Sequence, residues 1–365
     1  MNVIQMSCRG ETTALSVLEA ERSYRESAEF NRWPAVWNVP SRMADCDLGP
    51  GADPFIQFRQ GMWELLLQDP NGTCGWESLL HARATSILGL ARAERIPVRV
   101  YEEGRLRWNV WAPEKDSCGN IIVAADDGHN ESHRSLVCSP VGRKGEYRIV
   151  GEIEGLGWWN IDTTAEYLLD TQGAMRRFAF MSRWLGKTLE FPQGLYAAQI
   201  DDSWKVVGEP ELLALPILPW MNSVQPILEG PQCVFSRKGK LLGLMAAVNA
   251  SWTREYNQAF FPYLGGPYLK QSSWGCVLQP LFPQGLGIGH GKLIHEGNTW
   301  WYAGHYIPID GPEGWQHRRM CAFPVDMRAL LRAPFMPLPE LLERGDVPDY
   351  LHWGMLTSRL IQVRG

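Results

Sequence analysis

The chain has 365 residues, enough for one large domain or two ordinary ones around a sizeable core. A formal net charge of -5 leaves no basic surplus, which argues against a nucleic-acid partner, because phosphate binding needs clustered Lys and Arg. With 17 Trp and 11% aromatic residues, the composition suits stacking on the apolar faces of sugars and equally the filling of β-sheet cores.

The cysteines (Cys8, Cys46, Cys74, Cys118, Cys138, Cys233, Cys276, Cys321) are scattered, with no CxxC pair and no close Cys/His spacing. That pattern supports neither a zinc site nor a disulfide framework. The opening MNVIQMSCRG shows no apolar stretch after a basic start, and no run approaches a membrane span. A cytoplasmic protein without a membrane partner is the expectation, and the Asn-x-Ser/Thr sequons at Asn71, Asn130 and Asn249 then carry no glycan. Nothing in the sequence indicates an oligomeric state.

In chain order, residues 1–50 form an N-terminal extension that either packs on the rest of the chain or contributes to a dimer interface, with one short helix or an irregular lead-in over 11–31. From residue 53 onward, apolar or aromatic runs recur between Gly, Pro, Asn and Asp: FIQF, MWELLLQ, NIIVAA, YRIVGEI, RRFAFMSRW, GLYAAQI, LLGLMAAV, WWYAGHYI. Runs of this length with almost no helical period predict an all-β protein of many strands. Several pair across a Gly-bearing turn, as in VFSRKGKLLGLM and LIHEGNTWWYAGHY. Repeated hairpins without a long polar linker favour one closed domain over 51–365, and a β-propeller is the natural candidate. The internal repeat is too weak to give the number of blades. After residue 328 the chain turns Pro-rich and acidic, and the tail LHWGMLTSRLIQV is expected to supply a closing strand.

Three acids share one context. Asp53 (GADPFIQF), Asp162 (WWNIDTTAEYLL) and Glu229 (ILEGPQCVF) each open an apolar strand. Taken singly, each is an ordinary turn-to-strand junction. In a propeller, however, that position is the channel-facing edge of a blade, so acids from separate blades converge. Glycosidic hydrolysis needs one protonated carboxyl for the leaving oxygen and one carboxylate to activate water, and a third carboxylate raises the acid's pKa by repulsion. The polar stretch AADDGHNESH (Ala124 to His133) reads as an exposed hairpin loop, with a metal loop as the weaker alternative.

The succession ADPFI (Ala52 to Ile56), WNVWAPE (Trp108 to Glu114), NIDTTAEYLLDTQG (Asn160 to Gly173), EGPQCVFSRKGKLLGL (Glu229 to Leu244), GIGHGKLI (Gly287 to Ile294) and WWYAGHY (Trp300 to Tyr306) resembles glycoside hydrolase family 43 over residues 50–328. The resemblance implies a five-bladed β-propeller, an inverting mechanism and a carbohydrate substrate containing arabinose or xylose. It implies Asp53 as general base, Asp162 as the residue that tunes and orients the acid, and Glu229 as general acid. His290 matches the channel histidine that in many members lies beside a calcium or sodium ion, no cofactor being required for the chemistry. Trp111 lines or braces the substrate site, and Arg318 or Arg319 faces the substrate. His305 is read as structural.

Departures from the family are Thr163 where Pro is frequent, and Leu-Leu-Gly-Leu after Glu229 where paired tyrosines are usual. Together the motifs and departures favour an exo-acting glycosidase that removes a terminal α-L-arabinofuranose or β-D-xylose from a small oligosaccharide or glycoside. The alternatives are a catalytically silent propeller that binds a glycan or protein, and the related fructan-processing group. For the latter only Asp-Pro-Asn-Gly at 69–72 is present, and it comes after a strand.

Overall fold

The computed structural model describes residues 33–69, 78–107, 109–126, 132–142, 145–186 and 192–343. The lead-in at 11–31, the residues Pro70, Asn71 and Gly72, and the C-terminal tail lie outside the described residues.

Strand β1 (Asp47–Pro50) precedes a first blade of β2 (Ala52–Arg59), β3 (Met62–Asp69), β4 (Ser78–Ala84) and β5 (Ile96–Glu102). β6 (Arg105–Arg107) adds to β5, and the second blade is β7 (Val110–Lys115), β8 (Ile121–Asp126), β9 (His133–Pro140) and β10 (Glu146–Glu152). The third is β11 (Ile161–Leu169), β12 (Met175–Trp184), β13 (Gln193–Ile200) and β14 (Val206–Ala214), and the fourth is β15 (Leu228–Phe235), β16 (Leu241–Val248) and β17 (Asn257–Pro262). β18 (Gly275–Val277) continues the fourth blade through the bridge Tyr263 to Trp274. In the fifth blade, β19 (Gly289–Glu296), β20 (Thr299–Tyr306) and β21 (Arg319–Val325) are completed by β1. The innermost strands touch in a closed ring: β2 against β7 and β19, β11 against β7 and β15, and β15 against β19. This is a five-bladed β-propeller.

The continuous apolar runs now have a physical reason. A blade is covered on both faces, so successive side chains enter two different cores. Phe55 packs between the first and second blades and its neighbour Ile56 between the fifth and first. Ile121 and Ile122 divide in the same way between the second blade's two neighbours, as do Cys233 and Val234 in the fourth. Tryptophans serve this packing too, since Trp63, Trp220 and Trp274 are fully buried. Described cysteines Cys46, Cys118, Cys138, Cys233, Cys276 and Cys321 form no disulfide. Among the described residues no helix is long and apolar enough to cross a membrane.

Closure comes from the N-terminal side. β1 pairs antiparallel with β21 (Asp47 with Cys321, Pro50 with Arg319), and the Arg95 guanidinium donates to the carbonyls of Leu48 and Pro50. Residues 327–343 carry more regular structure than their Pro-rich, acidic composition suggests. A short helix α1 (Met327–Arg332), capped by Asp326 accepting from the Arg328 amide, leads to β22 (Phe335–Pro337), which pairs with β18, and then to α2 (Leu338–Glu343).

Leu48 is fully buried among residues of the first and fifth blades. Leu48→Ala leaves a cavity at the seam, so its thermal melting midpoint falls by about 5–10 °C, whereas Leu331→Ala on the exposed side of α1 moves it by less than about 2 °C.

Candidate active site

The site begins with a backbone irregularity shared by all five innermost strands. Each pairs with its neighbour through a register shift: Ala52/Phe55, Trp111/Glu114, Ile161/Thr164, Glu229/Gln232 and Gly289/Lys292. The first residue inside each bulge is left-handed, namely Asp53 (φ 46°), Ala112 (φ 43°), Asp162 (φ 55°), Gly230 (φ 60°) and His290 (φ 48°). For a non-glycine residue this conformation costs roughly 1–3 kcal/mol, and it persists only where the surrounding fold imposes it. The second bulge residue leaves the ladder, which suits Pro54, Pro113 and Pro231 because they have no N–H to pair. Thr163, where family 43 often has Pro, meets Ser135 Oγ at 2.6 Å through its hydroxyl. It therefore joins the third blade to the second.

These bulges deliver Asp53, Asp162 and His290 to the axis and set Glu229 just before Gly230. Asp53 Oδ1 accepts from Arg318 Nη1 at 3.1 Å, with His290 Nδ1 at 3.3 Å and His305 Nδ1 at 3.4 Å. Arg318 Nη2 also donates to Gln68 Oε1 at 3.1 Å, which fixes the guanidinium between the fifth blade and the first. Asp162 Oδ2 accepts from the Gly230 amide at 3.0 Å, and Glu229 Oε1 accepts from the Tyr256 hydroxyl at 2.7 Å. The Tyr256 ring lies parallel to the His305 ring at 5.2 Å. Glycine is required at two points: a Cβ on Gly230 would come 3.0 Å from the His290 ring, and one on Gly289 would come 2.3 Å from the Tyr256 ring.

All three acids are buried, and their environments drive their proton affinities apart. At Asp53, burial favours the neutral acid, but the Arg318 charge and the two imidazoles outweigh it and hold the carboxyl well below the usual carboxylate range. Burial also lowers the proton affinity of both imidazoles, that of His305 to about 4. They are neutral near pH 7, so the full charge facing Asp53 belongs to Arg318. At Glu229, burial raises the pKa to about 7, helped by the Asp53 charge and opposed by the hydroxyls of Tyr256 and Ser251 and by Arg318. Asp162 is raised well above its ordinary value by burial and by the charges of Glu229 and Asp53, against the Gly230 amide. Near neutrality the site thus holds a fixed carboxylate, Asp53, alongside a protonatable acid, Glu229.

The remaining expected residues divide between the site and its surroundings. Trp111 is half-buried at the end of β7, edge-on to His133 at 5.3 Å, and belongs with Trp159, Trp184 and Trp252 to one aromatic cluster. Arg318 is brought to the acids, whereas Arg319 is not. Successive residues of a strand face opposite sides, and Arg319 donates Nε–H to Asp47 Oδ2 at 2.9 Å on the closing strand β1. Of the two arginines left open by the sequence, Arg318 is the one placed beside the acids. In the 124–133 stretch, Asp126 accepts from Asn109 at 3.2 Å, and His133 is wedged between Trp111 and Trp159; residues 127–131 lie outside the described residues. Among the described residues no group of three or more His, Cys, Asp or Glu is arranged to hold a metal ion. His305, expected to be structural, lies within the cluster. Tyr256, Ser251 and Gln68 belong to it as well and carry no motif that could have announced them.

No protein-family model and no curated protein matches the sequence. Solved structures do share its fold. An α-L-arabinofuranosidase from Lactobacillus brevis is 19% identical at a TM-score of 0.61, over 78% of this chain and 94% of that one. A thermostable family-43 glycoside hydrolase is 17% identical at 0.58, over 76% and 89%. A xylan β-1,4-xylosidase from Bacillus halodurans is 15% identical at 0.53, over 77% of this chain and 53% of that one. The fold is that of the family-43 glycoside hydrolases, and at these identities the likeness is one of fold.

Tyr256 donates to the ionised form of Glu229, so its removal favours the protonated form. Tyr256→Phe raises the Glu229 pKa by about 0.5–1 unit, read by carbon NMR of labelled glutamate carboxyls; a shift downward or none would mean that the hydroxyl does not face the carboxylate.

Proposed function

We propose that this chain is an inverting glycoside hydrolase that removes a terminal pentose, α-L-arabinofuranose or β-D-xylose, from oligosaccharides or small glycosides. The observation that carries the reading is two buried carboxyls in opposed surroundings, Asp53 against Arg318, His290 and His305, and Glu229 against the Tyr256 hydroxyl. Burial holds Glu229 near pH 7 while Arg318 keeps Asp53 ionised. An acid and a base with separate environments are what cleavage of a glycosidic bond requires.

In this mechanism Asp53 orients a water molecule and takes its proton as the oxygen attacks the anomeric carbon. The clamp has a cost, because a carboxylate held so firmly ionised is a weak base. Its proton affinity becomes useful only as positive charge builds on the sugar ring in the transition state. Glu229 meanwhile donates its proton to the departing oxygen. Asp162 anchors the amide of Gly230 and so fixes the backbone that carries the acid. Beside Ser251, Trp252 and Trp315 meet edge-on at 4.9 Å, and Trp315 is 55% exposed with its Nε1–H on Ser251 Oγ at 3.2 Å. An exposed indole held in this way offers a flat face to a sugar. The family-43 fold and its structural neighbours, an arabinofuranosidase and a xylosidase, support pentose as the substrate class.

The test is release of nitrophenol from the α-L-arabinofuranoside, β-D-xyloside and β-D-galactoside. One of the pentosides is hydrolysed, Glu229→Ala and Asp53→Ala each lower kcat/KM by at least about 100-fold, and proton NMR shows the first-formed sugar with inverted anomeric configuration. Binding of glycans without turnover on any substrate would point instead to a silent propeller, and activity that survives Glu229→Ala would remove the assignment of the acid.

The pH dependence is set by the signs of the shifts. Glu229 must be protonated, so kcat/KM falls as pH rises through about 7. Asp53 must be ionised and remains so far below its ordinary value, so no acid limb appears while the protein stays folded. A limb near pH 4 would show that Asp53 titrates as an ordinary carboxyl.

A further inference from the structure

One step further along the innermost strands from each bulge lies a second ring of residues: Phe55, Glu114, Thr164, Gln232 and Lys292. Four of them are in contact. Lys292 Nζ lies 3.3 Å from Glu114 Oε2 and 4.3 Å from the centre of the Phe55 ring, and Gln232 Nε2 donates to Glu114 Oε1. Glu114 is buried and the Lys292 side chain nearly so, with 17% of its surface exposed. None of these residues takes part in the acid–base chemistry of Asp53 and Glu229. A buried ammonium paired with a buried carboxylate on the axis of a ring needs a reason, because desolvating both is expensive.

The residues around His290 do not fit the calcium or sodium ion that the family resemblance attaches to that position. His290 Nδ1 faces Asp53, and Asp53 is already matched by Arg318. Asp162 is engaged by the Gly230 amide, Glu229 by Tyr256, and Glu114 by Lys292 and Gln232. Within the second ring, Oε1 of Gln232 has no hydrogen-bond partner, but calcium takes about six to eight oxygens. A fixed ammonium one step along the strand from His290 also repels an incoming cation.

We propose that Lys292 is the resident cation of the channel: paired with Glu114 and seated on Phe55, its ammonium supplies the positive charge that an ion would otherwise bring, and the propeller is stable without a bound metal. Glu114 then faces a charge that cannot be chelated away or exchanged.

The test uses the full chain. Metal content is measured by mass spectrometry after purification, and melting midpoints are recorded with EDTA, with millimolar calcium, and in sodium or potassium salts. The expected result is far less than one metal per chain and the same midpoint in every condition. Lys292→Met keeps the apolar stem over Phe55 but leaves Glu114 unpaired, and lowers the midpoint by about 5–10 °C; adding Glu114→Gln restores most of that loss. A stoichiometric ion, a midpoint that drops with EDTA and returns with calcium, or a Lys292→Met protein that melts like the wild type overturns the proposal. Should Lys292→Met fail to fold, the wild-type metal content and chelation series decide alone. Melting and metal content need no substrate, so the outcome is independent of the glycosidase reading.

Discussion

Five strands that converge on one axis cannot all keep regular pairing and still present side chains inward. The left-handed bulge resolves this crowding once per blade, and the candidate chemistry rests on it. Asp53, Asp162 and His290 occupy the same bulge position in three blades, and Gly230 occupies it in a fourth, where the small residue leaves room for the His290 ring. The fifth position is Ala112, which contributes no functional group. The pseudo-symmetry of the fold thus sets where functional groups can stand, and the choice of residue at each place sets what they do. Backbone strain at the four non-glycine bulge positions is held by interblade cores on both faces of every blade.

Charge is organised in layers about the same axis. In the upper layer, a guanidinium from the fifth blade faces the carboxylate of the first, while the acids of the third and fourth blades face each other with no full positive charge of their own. Burial alone would neutralise every carboxyl in the channel. Arg318 breaks that symmetry in favour of Asp53, and the hydroxyl of Tyr256 moderates it at Glu229. One cation placed asymmetrically therefore turns three similar acids into groups with different duties.

Much of this was legible in the sequence, for reasons that can be named. The strands were visible because both faces of a blade are covered, which makes runs such as NIIVAA and LLGLMAAV apolar at consecutive positions. The blade repeat was harder to see, since its signature is conformational. Ala-Asp-Pro-Phe, Trp-Ala-Pro-Glu, Ile-Asp-Thr-Thr, Glu-Gly-Pro-Gln and Gly-His-Gly-Lys share a backbone shape and a recurrent Pro, with little side-chain identity. Tyr256 and His305 enter the site by stacking and long-range hydrogen bonding, which leave no local pattern. The choice between Arg318 and Arg319 depended on strand phase, which the preceding irregular turn hides. Among the described residues the ring is closed by a four-residue strand near residue 50, too short and too rich in Gly and Pro to announce itself; the tail that was expected to close it lies outside the described residues.

Closure by β1 also dictates an order of events. The ion pair of Asp47 with Arg319 joins groups 272 residues apart, so the first strand leaves the ribosome long before its partner exists. Through most of synthesis β1 has no sheet to enter, and four blades must form beside an unfinished fifth. The last blade becomes a unit only when the two ends of the ring meet, and Asp53 meets Arg318 across that same seam between the first blade and the fifth. Assembly of the candidate base is thereby tied to completion of the fold, so an incomplete chain cannot present it.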